Sequence, residues 1–385
     1  MRVLAPAGPA RKPSLQFDSY AQVEDLARRR LPRMLYAQML GGAGRGVTAR
    51  GNVSAFDEVT LSARVGVGHA SRDLRTTVLG TEVAMPVLLG PVGGVRLVHP
   101  AGAPASARAA ERAGTICGIS MLAGHPVASA GDGTGALRWQ QLYLWYGRQR
   151  AEEVIAEAAR LGFGALVVTV DSPVPPKRLP PLRVSLQTAL TYGPQLAVRP
   201  RWVARFVRDG ADLEAANLAM GTRSNEPTVW ADLRWIKQLW PRALVVKGIL
   251  RPDDARRAVA EGADAVVVSN HGGTVLDGLP SSVSMLPRVL DAVGDSAEVL
   301  LDGGVRQGTD VVKAIAIGAR AVLIGRPYVA GLAAAGEAGV DAVLDMFHFQ
   351  VDAALGLLGC GSIAELDGSY VSIPAGWLAG AARHQ

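Results

Sequence analysis

Residues 243–270, ALVVKGILRPDDARRAVAEGADAVVVSN, hold the unit from which the rest of the chain is read. ALVVKG (243–248) and AVVVSN (265–270) are apolar, β-branched runs without polar alternation, the pattern of strands covered on both faces. Between them Pro252 and two aspartates open a helical pattern over 252–261. Strand, helix and strand in that order make a parallel crossover unit.

Outward from this unit the pattern repeats. Six more runs have the same character: AMPVLLG (84–90), TICGIS (115–120), ALRWQQLYL (136–144), ALVVTV (165–170), EVLLDG (298–303) and AVLIG (321–325). Further helical patterns fall at 101–113, 150–161, 231–239, 282–293 and 308–317. Eight strands alternating with helices predict an α/β fold, a (β/α)8 TIM barrel, in preference to an open doubly wound sheet. The expected division is a flexible amino terminus over 1–16, a helical extension over 17–83 and the barrel over 84–385. Amphipathic helices are expected over 18–41 and closing helices over 336–358. A long insertion after the fourth strand, 171–229, contains RPRWVARFVRDG, a helix candidate with Trp202, Val203, Phe206 and Val207 opposite Arg201, Arg205 and Arg208.

The chain has 385 residues, 49% apolar and 19% charged, which excludes a disordered tail or a disulfide-stapled miniprotein. Its net charge of +6 comes mostly from arginine, with only five lysines, so no concentrated nucleic-acid-binding segment is expected. Cys117 and Cys360 read as reduced core thiols of a cytoplasmic protein, and no metal-ligand spacing is present. There is neither a signal-type apolar segment near the start nor an uncharged apolar run of spanning length.

In such a barrel chemistry gathers at the carboxyl ends of the strands. Polar residues collect there: Gln141 and Tyr143, Thr169 and Asp171, Lys247, then Ser269, Asn270 and His271, and Asp302 and Arg326. Glycines beside Arg306 and Arg326 at the last two exits suit a phosphate. Lys247 needs an anion in a dry barrel mouth: a phosphate, a carboxylate, an anionic cofactor, or an ion pair with Asp302 or Asp171. His271, followed by two glycines, is the natural general base, and Asp171 is placed to orient it.

SNHGGTVLDG (269–278), read with LLDGGVRQGTDVVKAIAIGARAVLIGRP (300–327) and KGI (247–249), closely resembles the FMN-dependent α-hydroxy-acid oxidase and dehydrogenase family. QLY (141–143), TVDSP (169–173) and HPAG (99–102) match in order and spacing, so the resemblance covers about residues 25–375. It implies FMN as cofactor. Pro91, Val92, Gly93 and Ser120 would touch the isoalloxazine, Gln141 and Thr169 its pyrimidine edge, and Lys247 its N1/O2 end, with Ser269 also in the cofactor set. Asp302, Gly303, Gly304, Arg306, Gly325 and Arg326 would hold the ribityl chain and 5′-phosphate. The resemblance makes His271 the catalytic base with Asp171 its partner, Tyr143 and Arg178 substrate contacts, and flavin N5 the acceptor. It also implies a tetramer.

Two positions depart from the family pattern. A second substrate arginine is expected directly after His-Gly-Gly, and Thr274 stands there; a substrate tyrosine is expected where Gln38 stands. Losing a bidentate cation and a hydroxyl weakens the grip on a small acid by about 2–5 kcal/mol. A substrate larger than lactate or glycolate is therefore expected, and the losses are similar to the branch that makes premycofactocin by oxidising an amine-bearing, peptide-derived lactam. A conventional oxidase or dehydrogenase of an aromatic or long-chain hydroxy acid is the neighbouring reading. A flavin-dependent isomerase and a non-catalytic flavin- or nucleic-acid-binding protein are readings of other classes. The acceptor of the electrons, whether oxygen, a quinone or a redox protein, stays open, as does weak contact of the 199–208 segment with a membrane surface.

Overall fold

The computed structural model describes residues 15–130, 135–173, 193–208 and 228–378. Eight strands, β1 (Val87–Leu89), β2 (Cys117–Ser120), β3 (Arg138–Leu142), β4 (Ala165–Thr169), β5 (Ala243–Ile249), β6 (Ala265–Val268), β7 (Glu298–Asp302) and β8 (Val322–Ile324), pair in parallel with their chain neighbours. β8 returns to β1 with Val322 opposite Val87, so the sheet closes and the doubly wound alternative is excluded.

The strands are buried on both faces, and their side chains sort with a period of two. Leu88, Trp139, Val167, Val245, Val267, Leu300 and Leu323 pack together along the axis. Leu89, Leu142, Leu166, Val168, Val246, Val266, Val268 and Leu301 belong to the larger core beneath the helices. Two residues beyond the inward set, on the same face, stand Gln141, Thr169, Lys247, Ser269 and Asp302. The alternation that fills the barrel therefore aims this polar set at its upper mouth.

The crossover helices are α4 (Gly102–Arg112), α5 (Gly147–Arg160), α7 (Trp230–Leu239), α8 (Pro252–Ala260), α9 (Ser282–Val293) and α10 (Gly308–Ile317), followed by α11 (Arg326–Ala335) and α12 (Glu337–Leu358). β1 and β3 fall furthest short of their apolar runs. Pro86 has no N–H to donate at the entry of β1, and at the exit of β3 the Tyr143 N–H turns to the Met121 sulfur, 3.0 Å away.

Ahead of the barrel lie α1 (Tyr20–Arg30), α2 (Arg33–Leu40) and α3 (Val47–Ser54). Contrary to a purely helical extension, the chain then forms a hairpin, Thr76–Val78 with Thr81–Val83. Its Val78 and Val83 are buried in the axial cluster beneath Leu88 and Trp139, and the Leu79 N–H donates to the Glu298 carboxylate. Side chains of the strands alone leave the lower mouth open to water, and the hairpin plugs it.

Within the insertion, α6 (Pro200–Arg208) is helical as expected. Trp202 packs against the core and its indole N–H donates to the Leu97 carbonyl, 3.1 Å, while Arg199 donates to the Leu31 carbonyl. Val207, expected on the apolar side, is 68% exposed, because the helix rests on one edge. None of the described helices is long and apolar enough to cross a membrane.

Candidate active site

At the upper mouth the inward polar residues form a hydrogen-bonded ladder. The Ser120 hydroxyl donates to Gln141 Oε1 at 3.0 Å, and Gln141 Nε2 donates to Thr169 Oγ1 at 3.2 Å. Lys247 Nζ lies 2.9 Å from Asp302 Oδ2 and donates to Ser269 Oγ at 3.1 Å. Of the partners left open for Lys247, Asp302 is therefore the one observed. Burial pushes the ammonium pKa down, but Asp302 and the charge of Asp171 outweigh it and hold the group above its ordinary value. Asp302 Oδ1 and Asp171 Oδ2 are buried without a partner among the described residues. A buried carboxylate oxygen left this way costs free energy until something donates to it.

His271 follows β6 on a turn with φ +58°, and Gly272 and Gly273 continue it at +62° and +72°. A left-handed histidine costs about 1–3 kcal/mol and persists only where its surroundings over-determine it. Here they do. Its N–H donates to Ser269 Oγ at 3.0 Å, and its Nδ1 is 2.9 Å from Asp171 Oδ1 and 3.5 Å from Ser172 Oγ. A Cβ on Gly272 would stand 2.8 Å from Arg326 Nη1, and one on Gly273 would meet the α3 backbone at 2.6 Å. Burial pushes the Asp171 carboxyl up, yet the adjacent His271 and Lys247 and the hydrogen bonds to it win and hold it below its ordinary value. An ionised Asp171 accepts from Nδ1–H, which leaves the lone pair on Nε2, the nitrogen able to accept a proton.

At the β7 and β8 exits, Gly303 and Gly304 both have φ near the left-handed range, +90° and +91°. Arg306 and Arg326 flank them. Arg326 donates to the carbonyls of Leu40, Gly272 and Gly41, and Arg306 to that of Val305. Among the described residues neither forms a salt bridge. Burial, reinforced by Arg306, brings the Arg326 pKa down to about 10. Two cations without a carboxylate partner among the described residues suit an anion.

Several residues that hold the site in place carry no motif. Asn52 of α3 and Asn270 exchange side-chain amide hydrogen bonds, both 2.8 Å, beside the Pro280 carbonyl and the Ser282 N–H. Thr48 and Asp277 interlock similarly: Asp277 accepts from the N–H groups of Thr48 and Arg45, and the Thr48 hydroxyl accepts from Gly278 and Leu279. The Asn52 carbonyl also lies where a Cβ on Gly304 would fall. α3 thus ties the histidine loop to the glycine loop. Trp145 donates to the Ser172 carbonyl at 2.9 Å and stacks on Tyr143, ring centroids 3.8 Å apart and 4° from parallel. The pairing of His271 with Asp171 was expected from the sequence; Trp145 and Asn52 had no such signal.

The expected cofactor residues Pro91, Val92, Gly93, Ser120, Gln141, Thr169, Lys247, Ser269, Asp302, Gly303, Gly304, Arg306, Gly325 and Arg326 occupy strand ends or the turns after them. Tyr143 is buried beside Trp145. The Thr274 hydroxyl is turned back onto the His271 carbonyl at 2.8 Å, so its donor is used by the turn. Gln38 is exposed on α2, away from the buried Leu35 and Leu40. Arg178 lies outside the described residues.

A model of the FMN-dependent dehydrogenase family matches residues 27–373. The chain belongs to that family. It is 39% identical to the pre-mycofactocin synthase of Mycobacterium tuberculosis over 94% of this chain and 96% of the relative. It is 38% identical to the L-lactate oxidase of Nostoc sp. over 91% and 97%. A solved (S)-mandelate dehydrogenase, described as a monotopic membrane protein, superposes with a TM-score of 0.85 at 34% identity, covering 94% of this chain and all of that one. This member of the family is thus an FMN-dependent oxidoreductase, and its residues fit the flavin. The unpartnered Asp302 Oδ1 suits a donating ribityl hydroxyl, the ladder from Ser120 to Thr169 suits a ring edge that both donates and accepts, and the two arginines without acids suit a phosphate.

Proposed function

We propose that this flavoenzyme oxidises the C–H bond beside an amine in a large, peptide-derived lactam, with His271 as base. The observation that carries the reading is Thr274: directly after His-Gly-Gly a short side chain turned back onto the backbone replaces a cation that could grip a small carboxylate. Kinship to a pre-mycofactocin synthase across nearly the whole chain supports it.

Bound FMN supplies a two-electron acceptor. The chain's own groups do the rest. His271 Nε2 takes the proton from the substrate amine, hydroxyl or α-carbon, and Asp171 fixes the ring and stabilises the imidazolium that results. Lys247 keeps a buried positive charge on the barrel axis, preorganised by Asp302 and Ser269. Ser120, Gln141 and Thr169 orient the flavin edge, and Arg306 and Arg326 hold its phosphate. Tyr143, braced by Trp145, offers an aromatic contact to the substrate.

Anaerobic mixing with two panels tests the proposal, one of hydroxy acids from lactate to mandelate and one of cyclic or peptide-derived amines. Bleaching of the flavin band by the amines alone is expected. Rapid bleaching by a hydroxy acid overturns the amine reading in favour of a conventional oxidase, a reading favoured by the kinship to L-lactate oxidase.

A further inference from the structure

Tyr20 lies in the first turn of α1, near the amino terminus, more than 280 residues before the glycine and arginine turns of β7 and β8. In space it joins them. The Arg306 guanidinium lies over its ring, 5.0 Å from the centroid, and α1 packs along α11, the helix that Arg326 opens. The Tyr20 hydroxyl is buried and has no hydrogen-bond partner among the described residues. Its surroundings are unusual for an unused phenol. Burial pushes its pKa up, and the charges that act on it are Arg306, Glu24 and Arg326. Glu24 is already engaged, accepting from the Tyr36 hydroxyl at 3.1 Å.

A buried donor without an acceptor beside two cations without acid partners makes one incomplete site, and a single multivalent anion completes all three. A water molecule would satisfy the phenol but leave both arginines uncompensated; a carboxylate would offset only one of the two positive charges. A phosphate monoester has the charge and three terminal oxygens.

We propose that the Tyr20 hydroxyl donates a hydrogen bond to the 5′-phosphate of the cofactor, so that α1 closes the phosphate end of the flavin site. Arg306 and Arg326 supply charge, and Tyr20 supplies a neutral donor from an element that is not part of the barrel. Occupancy of the phosphate subsite then holds the amino-terminal helix against α11, whereas a flavin lacking the phosphate does not. The inference rests on flavin binding, which family membership gives, and not on the identity of the substrate.

The experiment uses the full chain. FMN is removed from purified wild-type and Tyr20→Phe proteins, and each is titrated with FMN and with riboflavin, the same ring without phosphate. Loss of one charge-assisted hydrogen bond is expected to weaken FMN about tenfold to a hundredfold. Riboflavin affinity is expected to stay unchanged. Unchanged FMN affinity overturns the proposal, and so does equal weakening of both flavins, which would mark a general packing effect. Without flavin, Y20F is expected to be at least as stable as the wild type, because it removes a buried donor that has no partner. A second measurement needs no variant. In the wild-type protein FMN is expected to slow amide hydrogen exchange across residues 20–30 more than riboflavin does, and equal protection overturns the proposal. A protein that binds neither flavin would instead refute the flavin assignment itself.

Discussion

The two ends of the barrel are built from the same eight strands yet treat polarity in opposite ways. At the lower end Val78 and Val83 seal the axis, and the carboxylates are matched: Glu261 to Arg234 and Arg257, Asp264 to Lys237. At the upper end, among the described residues, Asp171 and Asp302 each keep a buried oxygen without a partner, Arg306 and Arg326 lack acids, and His271 sits in a left-handed conformation. The lower end is where burial stabilises the fold. The upper end holds unmet hydrogen bonds and strain that a cofactor and substrate can satisfy, so stability and chemistry are separable by position.

That separation can be broken most directly at His271. His271→Asn is expected to slow anaerobic flavin reduction by about 10²–10⁴-fold, the range of general-base catalysis, while flavin content and thermal midpoint stay near wild type. A collapse of the thermal midpoint would mean that the base also carries the fold. The opposite test lies at the plug. Val83→Ala removes buried methyl groups and is expected to cost about 1–3 kcal/mol in denaturant unfolding without changing flavin affinity. Loss of flavin affinity would show the two ends to be coupled through the axis.

A smaller effect sharpens the comparison at Lys247, a charge that is buried yet belongs to the upper end. Its folded pKa lies above the ordinary 10.5, so its contribution to stability is fully present below that pH and is lost as pH rises through the folded value. The stability gap between the wild type and Lys247→Met is expected to stay level below pH 10.5 and to shrink above it. A gap that widens in alkali would mean that the ion pair with Asp302 does not hold the proton.

Much of the barrel was legible because each strand is covered on both faces and therefore reads as an unbroken apolar run, and because the inward period carries straight into Gln141, Thr169, Lys247, Ser269 and Asp302. His271 and the glycine loops stood out for a related reason, since a turn that approaches a ligand admits few side chains. The plug did not. Thr76–Val78 and Thr81–Val83 are too short for periodicity to register, and only closure of the sheet reveals the gap that they fill. Asn52 and Thr48 were equally silent, because an isolated asparagine or threonine in a polar helix looks like surface until its partner, more than two hundred positions later, lies against it. The two positions that depart from the family's substrate contacts carried no local signal for direction either: the Thr274 hydroxyl is turned to its own backbone and Gln38 is exposed.

The reciprocal amide pair between Asn52 and Asn270 has a consequence for how the molecule comes into being. The two residues are 218 positions apart, and the Thr48 contacts to Gly278 and Leu279 span 230 and 231. Closing a loop of that length is entropically late, and during synthesis the earlier half of each pair waits while most of the barrel is made. The histidine turn therefore takes its final shape only when the beginning of the chain meets its last third, and a nascent chain with several strands already paired remains chemically inert.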